Sequence, residues 1–141
     1  MRKPSIWFWV IGVMLLIWNA FGCYMYVVDK TVSDERYAEL YGAAVAATRD
    51  VYPAWATAGY AVGVWGALLA TVLLLLRKTL AAPLYVLSLL GAVASFLPVF
   101  MDDAFKTAFG PTYWVMPVVV VVLGLFEIWW ARRKSADGTL S

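Results

Sequence analysis

Glu127 is the only ionisable side chain inside the four long apolar runs of this chain. A carboxyl in such a run is costly unless partnered, so intramembrane acids are candidates for proton or cation coupling. Its position argues for something plainer. Arg132 and Arg133 follow about a turn later, and Arg77 and Lys78 sit at the same end of the neighbouring runs. A glutamate close to a span end reaches water or a basic partner easily. Pairing with one of these bases is therefore expected over transport coupling. Asn19, near the middle of the first run, is the second polar group of interest. An amide in hydrocarbon needs a hydrogen-bond partner on a neighbouring helix, or a polar cavity to line. Interhelical bonding is the favoured reading.

Little other chemistry is available. The chain has no histidine and one cysteine, which excludes histidine-ligated haem, histidine-based zinc sites, serine–histidine triads, an intrachain disulfide and a CxxC redox pair. Cys23 reads as a small buried hydrophobe. Asp102 and Asp103 form an adjacent acidic pair, but two carboxylates without further ligands do not make a metal site, and a solvated loop is expected. The sequence holds no glycine-rich phosphate loop, nucleophile elbow or metal-ligand spacing. No catalytic residue, cofactor or metal is expected, and the chain does not read as an enzyme.

The elements that carry Asn19 and Glu127 follow from composition. The 141 residues are 64% hydrophobic and only 14% charged, with a mean hydropathy of +0.79. Soluble domains carry about 25% charged residues, so a bilayer must serve as solvent here. A spanning helix needs about 20 apolar residues. Runs of that length cover about 5–28, 54–76, 80–100 and 112–131. Lipid leaves no water for unpaired backbone groups, so each run reads as a helix. The expected fold is one all-α membrane domain over residues 1–141, a four-transmembrane-helix bundle. Arg2 and Lys3 before the first run could begin a secretory leader, with Phe21-Gly22-Cys23 as a lipoprotein-like cleavage site. Ala20 and Phe21 are unusual just upstream of such a cysteine, so the run is read as a retained span.

Lysine and arginine orient the bundle. Arg2, Lys3, Arg77, Lys78, Arg132, Arg133 and Lys134 fall on one side, against Lys30, Arg36, Arg49 and Lys106 on the other. The positive-inside bias then places both termini in the cytoplasm. Trp7, Trp9, Trp114, Trp129, Trp130 and Tyr113 lie near span ends, where amphipathic rings favour the headgroup layer. A net charge of +2, with no basic patch, gives no reason to expect nucleic acid.

Two further patterns concern packing. Thr31-Val32-Ser33-Asp34 fits the start of an outer helix over about 33–50, with an oxygen side chain able to cap its exposed amides and Asp34 and Glu35 at the positive end of its dipole. Tyr37, Leu40, Tyr41, Ala44 and Val51 recur on it at helical spacing, while Glu35, Glu39 and Arg49 lie mainly on other faces. Pro53 ends it. This amphipathic helix reads as a lid over the outer end of the bundle, in preference to a docking surface for another protein. Gly59, Gly63 and Ala67 form a small-residue ridge on the second span, with Gly66 and Ala70 beside it, and Ser88, Gly91 and Ser95 form a weaker one on the third. Such ridges let helices approach closely. Packing within the chain is the default, and a contact with a second copy or a partner is the alternative. Pro98 and Pro117 lie close enough to span ends to act as simple terminators.

The chain resembles a group of small four-span bacterial inner-membrane proteins, mostly from alphaproteobacteria and often labelled "sugar transporter". The resemblance rests on Trp18-Asn19-Ala20-Phe21-Gly22, Pro53-Ala54-Trp55-Ala56-Thr57-Ala58, the 74–78 run into Arg77-Lys78, the 83–90 run from Pro83, and the Ala131-Arg132-Arg133 exit. It covers nearly the whole chain. It implies a multi-pass inner-membrane protein and carries no catalytic or binding residues onto these positions. The acidic membrane-centre residue of small multidrug exporters and the proline–glutamine pair of small sugar carriers are both missing. The expected function is an accessory or assembly subunit of a larger respiratory or photosynthetic membrane complex, with other membrane subunits or a second copy as partner. The alternative is a small-solute, sugar-like carrier working as a homo-oligomer, its path lined by Asn19, Trp18, Trp65 and Glu127.

Overall fold

Four helices of this chain are long and apolar enough to cross a bilayer: α1 (Ile6–Thr31), α4 (Ala54–Leu75), α5 (Ala81–Met101) and α7 (Val115–Ala136). Three short helices sit between them: α2 (Asp34–Tyr41), α3 (Ala43–Ala46) and α6 (Asp103–Phe109). These elements come from a computed structural model that describes residues 3–141, so Arg2 lies outside the described residues. Only 22–33% of the most apolar stretch of each span is buried inside the protein. Exposed apolar surface on that scale is incompatible with water and fits a lipid-facing exterior. The fold is an all-α four-span membrane bundle.

Small residues set its packing. α4 and α5 are the central pair, α1 packs on α4, and α7 packs on α5. A methyl group at Gly59 would stand 2.5 Å from the Gly91 carbonyl oxygen, and one at Gly63 would stand 3.2 Å from the Ala92 nitrogen. Ala67 and Ala70 are buried, and Gly66 faces Ser88. The ridge read from the sequence is thus consumed inside the chain. Gly12 against Leu75 and Gly124 against Leu89 seat the two outer helices in the same way.

The apolar core lies at the end where α1 starts and α7 finishes. Phe8, Leu74, Tyr85, Trp130 and Leu140 meet there. Leu140 arrives on a hook. After α7 the chain turns back, and Ser141 exchanges backbone hydrogen bonds with the α4–α5 turn (Ser141 N to Arg77 O, Thr79 N to Ser141 O, both 2.9 Å). Arg77, in the left-handed region at φ 61°, donates Nε to the Thr139 carbonyl at 3.0 Å. Trp130 departs from the interfacial placement expected of it. It is buried, stacks on Phe126 and leaves its Nε1 without a protein partner.

The loop end differs from the sequence reading in two places. The outer segment does not form one helix over 33–50. It breaks at Gly42, whose φ of 93° closes α2, because glycine reaches that conformation at little steric cost. The start is as expected, since Ser33 Oγ accepts from Arg36 N at 3.2 Å. Leu40, Tyr41, Ala44 and Val51 remain exposed to varying degrees, so the stripe does not seal onto the bundle. Residues 102–110 are not a plain loop either. Asp102 caps α6 by accepting from Ala104 N at 2.9 Å, and Phe105 is buried against the Tyr52 ring.

Candidate functional site

Each of the four spans contributes one side chain to a buried polar knot. Asn19 comes from α1, Thr71 from α4, Tyr85 from α5 and Glu127 from α7, and all four are at most 6% exposed. The Asn19 amide nitrogen donates both its hydrogens, to Thr71 Oγ1 and to Glu127 Oε2, at 2.9 Å each. Thr71 Oγ1 lies 2.6 Å from the Tyr85 hydroxyl and 2.8 Å from the Ala67 carbonyl, one turn back on its own helix. Thr71 donates to the Ala67 carbonyl while Tyr85 donates to Thr71 Oγ1. The donors and acceptors are then matched among neighbours, as buried polar groups require.

This arrangement revises the expected pairing of Glu127. Its partners are neutral, and no ion pair joins it to Arg77, Lys78, Arg132 or Arg133. Helical geometry explains why. At 3.6 residues per turn, Arg132 and Arg133 are rotated roughly 140° and 120° away from Glu127, in opposite senses. Arg133 instead lies over the Trp129 ring, 5.5 Å from its centroid. Asn19 does what the favoured reading asked of it and binds across helices. Cys23 is buried, with its thiol 3.2 Å from the Val64 carbonyl.

Thr71 and Tyr85 were not singled out from the sequence. A threonine in a helix commonly bonds its own i−4 carbonyl, and a tyrosine near a span end reads as an interface anchor. A signal was nevertheless present. Gly59, Gly63, Ala67 and Thr71 recur every four residues, so Thr71 extends the packing ridge. Tyr85 shares a face with Ser88 and lies on the opposing ridge.

A second polar cluster fastens the loop end. The Asp29 carboxylate accepts from the hydroxyls of Tyr41 (2.5 Å) and Tyr60 (2.9 Å). Arg49 donates to the carbonyls of Asp29 and Val32 at 2.8 and 2.9 Å and to Asp34 at 3.1 Å, with its guanidinium over the Tyr37 ring. It thereby caps the C-terminal end of α1, where helix carbonyls lack partners and a cation is favoured. Burial, the hydrogen bond to Asp29 and that carboxylate's charge raise the Tyr41 phenol. Burial first, then the Asp29 charge, raise Tyr37. Burial pushes Tyr52 up to about 12, and its hydroxyl donates to the Ser95 carbonyl. Of the residues proposed for an outer docking helix, Tyr37 and Tyr41 hold this clasp, while Leu40 and Ala44 lie outside it.

Compared with known proteins, the chain matches no family model, no curated protein and no solved structure.

Proposed function

We propose that this protein is a non-catalytic accessory or assembly subunit of a larger membrane complex. One observation carries the reading: Asn19, Thr71, Tyr85 and Glu127 are spent on bonding the four spans to one another. An interior built this way supports a rigid scaffold more readily than a substrate path. The lipid-facing exterior is rich in large side chains, including Trp7, Phe21, Tyr24, Trp65 and Trp129. Such residues pack against neighbouring subunits as well as against lipid. The basic residues at the terminal end favour cytoplasmic termini, and the resemblance to small four-span inner-membrane proteins favours a bacterial inner membrane. The test is extraction in mild detergent at native abundance. Co-migration with a larger respiratory or photosynthetic assembly is expected. A monodisperse free particle with no partner by mass spectrometry would sink the proposal.

Glu127 motivates a second reading, a small-solute carrier acting as an oligomer. A carboxyl buried among neutral partners is the kind of group that couples proton movement to transport. Counterflow in proteoliposomes, with Asn19→Ala and Glu127→Gln as probes, discriminates. Flux unchanged in both variants removes these residues from any transport step.

A further inference from the structure

α5 and α7 touch closely where Gly124 meets Leu89, but they part toward the loop end. The parting leaves a cleft of about 270 Å³ lined by Leu97, Phe100, Pro117, Val118 and Val122 among others, with no polar surface. It opens sideways, since Leu97, Val118 and Val122 are each more than two-fifths exposed. The cleft lies within the two spans, at a depth where hydrocarbon is the surrounding medium. An empty void there would forfeit the dispersion contacts of its walls. A helix from another protein, about 10 Å across, is too wide to enter a space of this volume and could only lie over it. A single acyl chain fits.

What stands at the mouth decides which amphiphile suits it. Phe100, the last lining residue of α5, meets the Tyr113 ring at 5.5 Å. The Lys106 ammonium lies over that same ring, 5.9 Å from its centroid, and 3.7 Å from an oxygen of Asp103. The Asp103 side chain is fully exposed and this ion pair is long, so both charges are open to another partner at little cost. A cation and an anion thus stand together where the apolar cleft reaches the headgroup layer. We propose that this is a binding site for a zwitterionic phospholipid with a primary-amine headgroup. One acyl chain fills the α5–α7 cleft, Lys106 binds the phosphate, and Asp103 accepts hydrogen bonds from the lipid ammonium. A purely anionic headgroup would satisfy Lys106 but face Asp102 and Asp103. A choline headgroup has no N–H to donate.

The experiment uses the full chain, delipidated in detergent. Phosphatidylethanolamine, phosphatidylcholine and phosphatidylglycerol with identical acyl chains are added, and retained lipid is read by native mass spectrometry. The ethanolamine lipid should be retained at least about threefold more than either other lipid, the size of one exposed charge-assisted hydrogen bond. Asp103→Ala, which leaves no acceptor for the ammonium, should remove the preference over the choline lipid, and Lys106→Ala should lower retention of all three. Leu97→Trp, which fills the cleft, should abolish retention, and Val122→Phe does so from the α7 side if the first variant does not fold. Equal retention of the three lipids, preference for the glycerol lipid, or full retention in a folded cleft-filling variant would overturn the proposal.

Discussion

At the scale of single residues, the knot around Asn19 determines how the spans hold together. Hydrogen bonds between helices in lipid are individually modest, about 0.6 kcal/mol on average and up to about 1.7. Asn19 makes two, so Asn19→Ala should cost about 1–3 kcal/mol once the acceptors it leaves behind are counted. A double-mutant cycle with Thr71→Ala should return a coupling energy of about 0.5–2 kcal/mol; a value near zero would mean that the contact carries no energy. Glu127→Gln keeps an acceptor oxygen for Asn19 and should be milder than Glu127→Leu, which strands the amide. Resistance to unfolding in detergent ranks the four single variants. At the loop end, Tyr52 gives a separate handle. Its raised value means that the fold favours the neutral phenol, so its contribution to stability is complete below the ordinary tyrosine value and is lost as pH rises through about 12. Near-ultraviolet absorbance should show Tyr52 ionising late along with Tyr37 and Tyr41, and Tyr52→Phe should reduce the amplitude of that late phase by one phenol. Asn19 and Glu127 were legible in the sequence because a lone amide and a lone carboxyl stand out against hydrocarbon. Their meeting was not legible, since it depends on which faces of α1 and α7 turn inward. Thr71 and Tyr85 were hidden by their ordinary roles elsewhere in membrane helices.

Glycine marks the same boundary between the legible and the hidden among the elements. The α4 ridge announced itself through four-residue spacing, and the structure uses it as that spacing suggests. Gly59→Ala places a methyl 2.5 Å from the Gly91 carbonyl, with backbone on both sides and no flexible side chain to yield. The central pair must move apart, at a cost of about 1–3 kcal/mol typical of overpacking. Gly42→Ala meets open space but keeps a φ of 93°, so it should cost about 1 kcal/mol through backbone strain alone and loosen only α2 and α3. Thermal unfolding should show Gly59→Ala as a global loss and Gly42→Ala as a local one, visible in exchange of the loop-end amides. Gly42 was readable as a breaker only with hindsight, because the apolar spacing on either side of it keeps a helical phase. α6 is hidden for a related reason: seven residues between two spans are too few to show periodicity, and Asp102 and Asp103 read as solvated charges instead of as a helix start.

For the whole molecule, hydropathy specified the four spans, to within a residue for α4 and α5 and to within three to five residues at the end of α1 and at both ends of α7, because a bilayer punishes any other arrangement of so apolar a chain. The closure of its terminal end was not encoded in that signal. The hook at 137–141 is short, polar and without periodicity, yet it buries Leu140 in the core and pairs with the turn that joins α4 to α5. Asp137 shapes it by accepting from the Thr139 hydroxyl at 2.6 Å and the Thr139 amide at 2.9 Å. The Thr139 hydroxyl, foremost, holds the Asp137 carboxyl below its ordinary value. A depressed acid adds stability that is present above the unfolded value and fades as pH falls through the folded one. The hook should therefore stay closed at neutral pH and loosen only below about pH 4. Asp137→Asn should remove that acid dependence while leaving the apolar anchor in place. Leu140→Ala should act at every pH and cost about 2 kcal/mol or more. Amide exchange at Thr79 separates the two effects, because its N–H bonds the Ser141 carbonyl and is freed whenever the hook leaves. Protection of Thr79 unchanged in Leu140→Ala would mean that α4 and α5 hold their turn without the hook, and that the apolar core at this end closes on the spans alone.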